Sequence, residues 1–294
     1  MNRRKLFRLK LNSRTLVLGE RTLVMGVLNV TPDSFSDGGK FLDVESAIEH
    51  ALAMECAGAD LLDIGGESTR PGSPSISSKE ELARVLPVLQ GLRWVLKIPI
   101  SIDTQKSEVA EAALDAGAEI INDISGLKND ARIAEVAARL GVPLILMHTR
   151  GEPRTMQNAP FALDVMKDVL QGWRKSVGIA RKAGVAKSQL ILDPGIGFGK
   201  SFAQNYELLQ KLPQLAKLGY PLVVGTSRKG FLGATLAREG KPAPPEQRIW
   251  GTAATVTASI LNGAHIVRVH DVAEMVQVAR VADCILNPRK SVKN

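Results

Sequence analysis

The segment G-A-D-L-L-D-I, residues 58–64, indicates the fold of this 294-residue chain, because two other segments repeat its pattern. They are G-A-E-I-I-N-D-I at 117–124 and G-A-H-I-V-R-V-H at 263–270. In each, a glycine that can end a helix in a left-handed turn precedes a short apolar strand, and the strand ends on a polar residue. The repeated unit is therefore a buried strand that follows a helix.

Five further segments bring the number of predicted strands to eight. Three begin with a proline, which is tolerated as the first residue of a strand, and the other two are an opening apolar run and L-I-L-D-P-G. They occupy 99–103, 143–148, 221–229, 23–28 and 190–195. Helix-length stretches separate most strands, at 43–57, 78–92, 105–116, 130–140, 162–183, 201–217, 246–262 and 271–286.

Eight β-then-α units predict a (β/α)8 TIM barrel as a single catalytic domain over 21–294, preceded by a short basic N-terminal extension at 1–20. An open, doubly wound sheet is the alternative, but eight regular units in one chain favour closure. We find no linker that would divide the chain.

The net charge of +8 is concentrated at the two ends of the chain. Residues 1–10 and 287–294 hold basic residues without acids, so the body is neutral and no nucleic-acid module is indicated. No apolar run approaches the length that spans a membrane. Cys56 and Cys284 lie far apart without metal-ligand spacing, which predicts two core residues of a reducing compartment. We therefore expect a cytoplasmic protein that binds neither nucleic acid nor membrane.

Polar residues collect at the predicted carboxyl ends of the strands, which converge on one mouth in a barrel. They are Asn29, Asp63, Asp103, Asn122, His148, Asp193, Ser227, Arg228, Lys229, Arg268 and His270. Burying three carboxylates close together is costly unless they bind something, so this set predicts a functional site.

The chemistry of these residues divides into two halves. Asp103, Asn122 and Asp193 suit a flat heterocycle with a donor-rich edge. A second group suits phosphate or carboxylate because its members can carry positive charge. It comprises Arg70, Arg228, Lys229, Arg268 and His270. The expected ligand has a donor-rich ring at one end and an acidic group at the other.

Loops complete the pattern. L-N-V-T-P-D-S-F-S-D-G-G at 28–39 carries hydroxyls, carboxylates and one aromatic side chain, as a loop that closes over a small polar substrate requires. The segment D-P-G-I-G-F-G-K-S at 193–201 fails both the Walker A and the dinucleotide patterns. Its glycines would let the backbone approach a flat ring, with Phe198 beside it.

In order, the chain also contains D-I-G-G-E-S-T-R-P-G, S-I-D-T, I-N-D-I-S-G, L-D-P-G-I-G-F-G-K, G-T-S-R-K and R-V-H-D. Together with L-N-V-T-P-D-S-F-S-D-G-G, these motifs resemble the dihydropteroate synthases of the bacterial folate pathway over residues 20–286. The resemblance implies a transferase that condenses 6-hydroxymethyl-7,8-dihydropterin pyrophosphate with p-aminobenzoate, uses Mg²⁺ and forms a homodimer.

The resemblance also assigns roles to individual residues. Asn29 would hold Mg²⁺, and the catalytic group would be Lys229, Asp103, Arg268 and His270. Substrate-binding residues would be Thr69, Arg70, Pro71, Phe35, Asp103, Asn122, Met147, Asp193, Phe198, Ser227, Lys229, Arg268 and His270. Two departures stand out: Thr149 and Arg150 replace the Met-Gln of many relatives, and Gly230 replaces a frequent serine.

Two other functions are compatible with a pterin-binding barrel. One is a domain that presents methyltetrahydrofolate to a corrinoid partner, which would need neither the aminobenzoate loop nor the Arg-x-His anion site. The other is a degenerate, non-catalytic partner of another folate enzyme, which would have eroded loops. The aminobenzoate loop and the Arg-x-His site are intact here, and the loop at 28–39 is not eroded, so the synthase is favoured.

Overall fold

The computed structural model describes residues 4–31, 40–68, 73–151 and 161–288. Its strands are β1 (Phe7–Lys10), β2 (Thr15–Leu18), β3 (Leu23–Asn29), β4 (Leu61–Gly65), β5 (Ile100–Asp103), β6 (Ile120–Asp123), β7 (Leu144–Met147), β8 (Leu190–Asp193), β9 (Val223–Val224) and β10 (Ile266–Val269). Its helices are α1 (Lys40–Cys56), α2 (Ser78–Leu92), α3 (Ser107–Asp115), α4 (Arg132–Leu140), α5 (Val165–Lys182), α6 (Phe202–Ala216), α7 (Gly230–Thr235), α8 (Ile249–Leu261) and α9 (Val272–Leu286).

Strands β3 to β10 form one parallel sheet that closes on itself. The strands pair in chain order from β3 to β8, and β10 lies between β3 and β9. A parallel bridge from Leu192 to Leu222 joins the two remaining edges. The predicted (β/α)8 barrel is confirmed, and the open-sheet alternative is wrong. The short helix α7, directly after Lys229, is an addition to the eight predicted helices.

Alternation along β4 shows how each strand divides its side chains between two environments. Leu62 and Ile64 belong to the large apolar layer between strands and helices. Leu61 belongs to a separate cluster inside the barrel, and Asp63 faces the same interior. Inward side chains are thus apolar at the amino ends of the strands and polar near the carboxyl ends, which places the polar site at the mouth.

The basic extension has a structure that the sequence analysis did not assign. Strands β1 and β2 form an antiparallel hairpin. Leu9, Leu11 and Leu18 of this region pack with the apolar cluster at the amino ends of the barrel strands. Arg4, which precedes β1, pairs with Asp283 of α9 and donates to Thr22 beside β3, so this end of the extension is held by both the first and the last parts of the barrel.

Two expectations from composition can be compared with the described residues. Across the part of the chain that the structure covers, no helix is both long and apolar enough to cross a membrane. The prediction of two core cysteines was wrong: Cys56 is exposed at the end of α1, and Cys284 is half-buried in α9.

Candidate active site

One cavity of about 930 Å³ opens at the carboxyl ends of the barrel strands. Ten of the fourteen residues to which the resemblance assigns roles line it, and so does Arg228; the ten are Asn29, Asp103, Asn122, Met147, Asp193, Phe198, Ser227, Lys229, Arg268 and His270. The four others, Phe35, Thr69, Arg70 and Pro71, lie outside the described residues and stay predictions. The barrel thus brings together side chains that are up to 241 positions apart in sequence, from Asn29 to His270.

Three hydrogen-bond acceptors form one wall of the cavity. Asp103 and Asn122 are paired neighbours on β5 and β6, and Asp193 ends β8 beside Met147. Asp193 Oδ1 accepts a hydrogen bond of 2.7 Å from the backbone N–H of Gly195. Burial raises the pKa of Asp193 to about 6. An ionised carboxylate held in this position has a strong drive to pair with donors on a ligand.

Arg268 supplies positive charge beside that wall. Its Nε donates to Asp63 Oδ2 at 2.6 Å, and its Nη2 donates to Asp103 Oδ2 at 2.8 Å. Burial opposes ionisation of the guanidinium, but the charges of Asp63 and Asp103 outweigh it and raise its pKa. Burial raises the pKa of Asp103, and the charge of Arg268 limits that rise. Arg268 is therefore a fixed cation at the mouth.

Lys229 lies between the acceptor wall and an aromatic ring. Its ammonium nitrogen is 4.0 Å from the centre of the Phe198 ring. Burial, reinforced by the charge of Arg268, lowers the pKa of Lys229 to about 8. Phe198 packs with Ile124 and Met147 in a small apolar cluster at the cavity wall. The cavity therefore offers a flat ring both an apolar face and a nearby cation.

The two other predicted cations differ from expectation. Burial, together with the charge of Arg268, lowers the pKa of His270 to about 3, so its imidazole is neutral at pH 7. His270 Nδ1 lies 3.0 Å from Ser227 Oγ, which fixes the ring. Arg228 also lines the cavity, and its Nε and Nη2 are bonded to Asp271, an ion pair that the sequence analysis did not predict. Neutral His270 can still donate one N–H to an anion.

The glycine-rich loop after β8 is held by a residue that the sequence analysis passed over. Lys200 is 1% exposed and donates to the carbonyls of Phe198 and His148, at 2.9 and 3.2 Å. Its Nζ also lies 3.1 Å from His148 Nδ1. Because these acceptors occupy the ammonium, Lys200 fixes the loop and does not bind phosphate. Sequence analysis did not predict this role because Lys200 lies in a segment that partly matches the Walker A phosphate-binding motif.

Gly195 and Gly199 explain why the loop needs glycine. Their φ angles are both 66°, in the left-handed region. A Cβ at Gly195 would overlap the carbonyl oxygen of His148, and one at Gly199 would overlap that of Arg150. The loop therefore lies directly against the backbone that follows β7, and this contact places Phe198.

Metal ligands are sparse in this part of the molecule. The described residues contain no cluster of three or more His, Cys, Asp or Glu side chains that could hold a metal ion. Asn29, at the end of β3, contributes one amide to the cavity. Mg²⁺ commonly takes one or two protein oxygens and completes its shell with water and substrate phosphates. This donor set therefore fits a magnesium ion that arrives with a phosphorylated ligand.

The geometry can be compared with known proteins. A model of the family described as "Pterin binding enzyme" matches residues 25–270. The chain is 52% identical over 267 residues to the dihydropteroate synthase of Synechocystis sp., with 91% of each protein covered. It is 43% identical to the Yersinia pestis dihydropteroate synthase solved in complex with a sulfonamide drug, with a TM-score of 0.88 and coverage of 96% of this chain and 100% of that one. For the Xanthomonas albilineans dihydropteroate synthase solved with 4-aminobenzoic acid, the identity is 42%, the TM-score 0.87, and the coverage 98% and 100%.

Proposed function

The chain belongs to the dihydropteroate synthases of the pterin-binding enzyme family, and on that premise we propose which of its residues carry out each part of the reaction. The enzyme is a transferase that joins 6-hydroxymethyl-7,8-dihydropterin pyrophosphate to p-aminobenzoate, giving 7,8-dihydropteroate and pyrophosphate. The methyltetrahydrofolate-presenting barrel is not favoured, because the relatives that match most of this chain are synthases.

One observation carries the residue assignment: the same cavity has acceptors on one wall and the Arg268 cation at its mouth. The amino-pyrimidinone edge of a pterin is rich in N–H donors. Asp103, Asn122 and Asp193 offer the matching acceptors, and the ionised Asp193 can accept two hydrogen bonds from that edge. Arg268 and His270 would then contact the pyrophosphate, since they lie at the end of β10.

p-Aminobenzoate is assigned to the side of the cavity near Phe198, Ser227 and Lys229. The Phe198 ring gives the aminobenzoate an apolar surface, and Lys229 borders both substrates. Thr69, Arg70, Pro71 and Phe35 are proposed to complete this side. Because Lys229 lies within the charge field of both Asp193 and Asp103, it also stabilises the charge of ionised Asp193.

We infer that the bond from the pterin CH₂ to the pyrophosphate oxygen breaks before the amine attacks. Its electron pair leaves with the pyrophosphate, and the dihydropterin ring delocalises the resulting cation. Arg268 stabilises the charge that develops on the leaving group. The amine nitrogen then forms the new C–N bond and releases its proton to solvent or to pyrophosphate. Because the amine of p-aminobenzoate attacks the CH₂ carbon directly, no covalent enzyme intermediate is required.

Mg²⁺ would neutralise charge on the pyrophosphate and make it a better leaving group. Asn29 is proposed as its protein ligand, through the side-chain oxygen. The choice is supported by the cavity position of Asn29 and by the preference of Mg²⁺ for oxygen ligands.

A homodimer and a cytoplasmic location are parts of the proposal. Helices α8 and α9 expose Trp250 (80%), Val281 (63%) and Ile285 (46%) to solvent. The spacing of Val281 and Ile285 places them on one helical face. Exposed apolar side chains on neighbouring helices are typical of a protein–protein interface, which supports a dimer through this surface.

The decisive experiment measures pyrophosphate release by the purified chain from the dihydropterin pyrophosphate and Mg²⁺, with and without p-aminobenzoate. We expect release that depends on the amine and yields dihydropteroate. Tight pterin binding without amine-dependent release would instead support the non-synthase barrel. Deuterium at the CH₂ group should give a secondary isotope effect, and its absence would contradict early loss of pyrophosphate.

A further inference from the structure

We propose that Asp63, a buried carboxylate that does not line the cavity, positions two side chains that do, Arg268 and Asn122. Asp63 is the third residue of β4 and is 0% exposed. The inference rests on the proposed function, because it assigns Asp63 a role in holding the groups proposed to bind pyrophosphate and pterin.

A single oxygen of Asp63 holds both partners. Oδ2 accepts from Arg268 Nε at 2.6 Å and from Asn122 Nδ2 at 2.9 Å. These contacts join β4 to β6 on one side and to β10 on the other. The separation of the anion-binding group from the pterin-binding group is therefore fixed through one atom.

The contact with Arg268 fixes the plane of the guanidinium. Asp63 holds Nε while Asp103 holds Nη2, so two of the five N–H donors are used on different nitrogens. The remaining three donors keep a constant direction and are available to an anion. Without Asp63, Arg268 would keep only its bond to Asp103 among the contacts described, and its fork could rotate.

The contact with Asn122 decides which end of the amide the cavity receives. The two ends of an amide are almost equal in size, but one donates and the other accepts. Nδ2 donates to Asp63 Oδ2, which leaves the Asn122 oxygen for the cavity. Asp63 thus makes Asn122 an acceptor, which is what a donor-rich pterin edge requires.

The energetic cost of Asp63 argues against a purely structural role. Its Oδ1 is buried and has no hydrogen-bond partner among the described residues. Leu61 and Ile120, which face the interior from β4 and β6, are apolar and fully buried, so this part of the barrel packs without charge. A carboxylate that costs desolvation and uses only one of its oxygens is explained by the two side chains that it holds.

Ser101 provides a matched control. It is the residue paired with Asp63 on β5, it is 0% exposed, and its hydroxyl also has no partner within the described ranges. No hydrogen bond joins it to Arg268 or Asn122 in the described structure. Ser101→Ala therefore alters the same layer of the barrel without disturbing either positioned group.

The test compares Asp63→Asn with Ser101→Ala and wild type by calorimetry and steady-state kinetics. Calorimetric ligands are 6-hydroxymethylpterin alone, and pyrophosphate added with Mg²⁺ to the pterin-saturated protein. For Asp63→Asn we expect at least tenfold weaker binding of both, with the KM for p-aminobenzoate within about threefold of wild type. Ser101→Ala should stay within about twofold on all three measurements. Unchanged pterin and pyrophosphate affinity in Asp63→Asn would overturn the proposal, and so would an equal loss for all three ligands.

A second measurement covers the case in which Asp63→Asn fails to fold. In wild type, the Nε–H of Arg268, identified by its absence in Arg268→Lys, should exchange with solvent much more slowly than that of an exposed arginine such as Arg139. Equal exchange rates would overturn the proposal. Because calorimetry and exchange need no turnover, wild type that binds ligands but forms no dihydropteroate would refute only the proposed function.

Discussion

The Lys229 ammonium lies over the Phe198 ring, 4.0 Å from nitrogen to ring centre, and on the proposed assignment this contact joins the two substrate regions. Lys229→Ala should therefore lower kcat/KM for both substrates, by about 100-fold if the lost charged contact contributes ~3 kcal/mol. Phe198→Leu serves as the matched variant, because it removes the ring and keeps the cation. We expect its effect mainly on the KM for p-aminobenzoate. A Lys229→Ala effect limited to one substrate would contradict the shared role.

The pH dependence should reflect two buried groups. Burial raises the pKa of Asp193 to about 6 and lowers that of Lys229 to about 8. Below pH 6 Asp193 gains a proton and loses its acceptor charge, and above pH 8 Lys229 loses its positive charge. The value of kcat/KM for the dihydropterin pyrophosphate should therefore fall on both sides of this window. Lys229→Arg stays charged to higher pH, so the alkaline decline of kcat/KM should move to higher pH in that variant. A decline that does not move would show that Lys229 does not cause it.

The ionised Asp193 that binds pterin should lower the free energy of unfolding of the protein. Its folded pKa of about 6 exceeds the ordinary 3.8, so between these pH values the folded protein holds the proton more firmly than the unfolded chain. The stability penalty of ionised Asp193 is thus absent below pH 3.8 and complete above pH 6. Asp193→Asn should raise the free energy of unfolding by about 1–3 kcal/mol at pH 7 and by little near pH 4.

The same Asp193→Asn variant should bind 6-hydroxymethylpterin more weakly, by about 1.5–3 kcal/mol, because it lacks the charged half of the contact. Denaturation at the two pH values and calorimetry at pH 7 measure both effects. Wild-type pterin affinity in this variant would remove Asp193 from the binding site.

The glycine-rich loop should tolerate no side chain at Gly195. Gly195→Ala forces a Cβ against the His148 carbonyl at a positive φ, which should cost about 2–4 kcal/mol of stability and raise the KM for both substrates. Gly178→Ala, at an exposed position of α5 with no atom near the added Cβ, should instead raise stability by about 0.5–1 kcal/mol. Thermal unfolding of the two variants checks the contrast, and equal shifts would show that the loop can move away.

The proposed dimer surface can be tested at Val281. Val281→Glu places a charge among the exposed apolar residues of α8 and α9 and should yield a monomer in light scattering. Lys217→Glu, a change of charge at the end of α6, is the control and should leave the mass unchanged. A monomeric wild-type protein, or a dimer that survives Val281→Glu, would exclude this face.

Strand ends were predictable because each short apolar run stops at a polar residue. Asp103, Asn122 and Asp193 could be grouped from sequence for this reason, and the barrel brings them to one wall. The ion pair of Arg228 could not be predicted, since its partner Asp271 is 43 positions later in the chain. The role of Asp63 depends on a single oxygen shared by two partners, and no spacing encodes that. The hairpin was missed because β1 and β2 have only four residues each and β1 alternates apolar with charged side chains.

The hairpin at the amino ends of the strands has a consequence for turnover. Because Leu9, Leu11 and Leu18 cover that end, substrates and products pass through the mouth at the carboxyl ends. On the proposed assignment, both substrates enter and dihydropteroate leaves through this one mouth. A product that stays bound therefore blocks the binding of the next dihydropterin pyrophosphate.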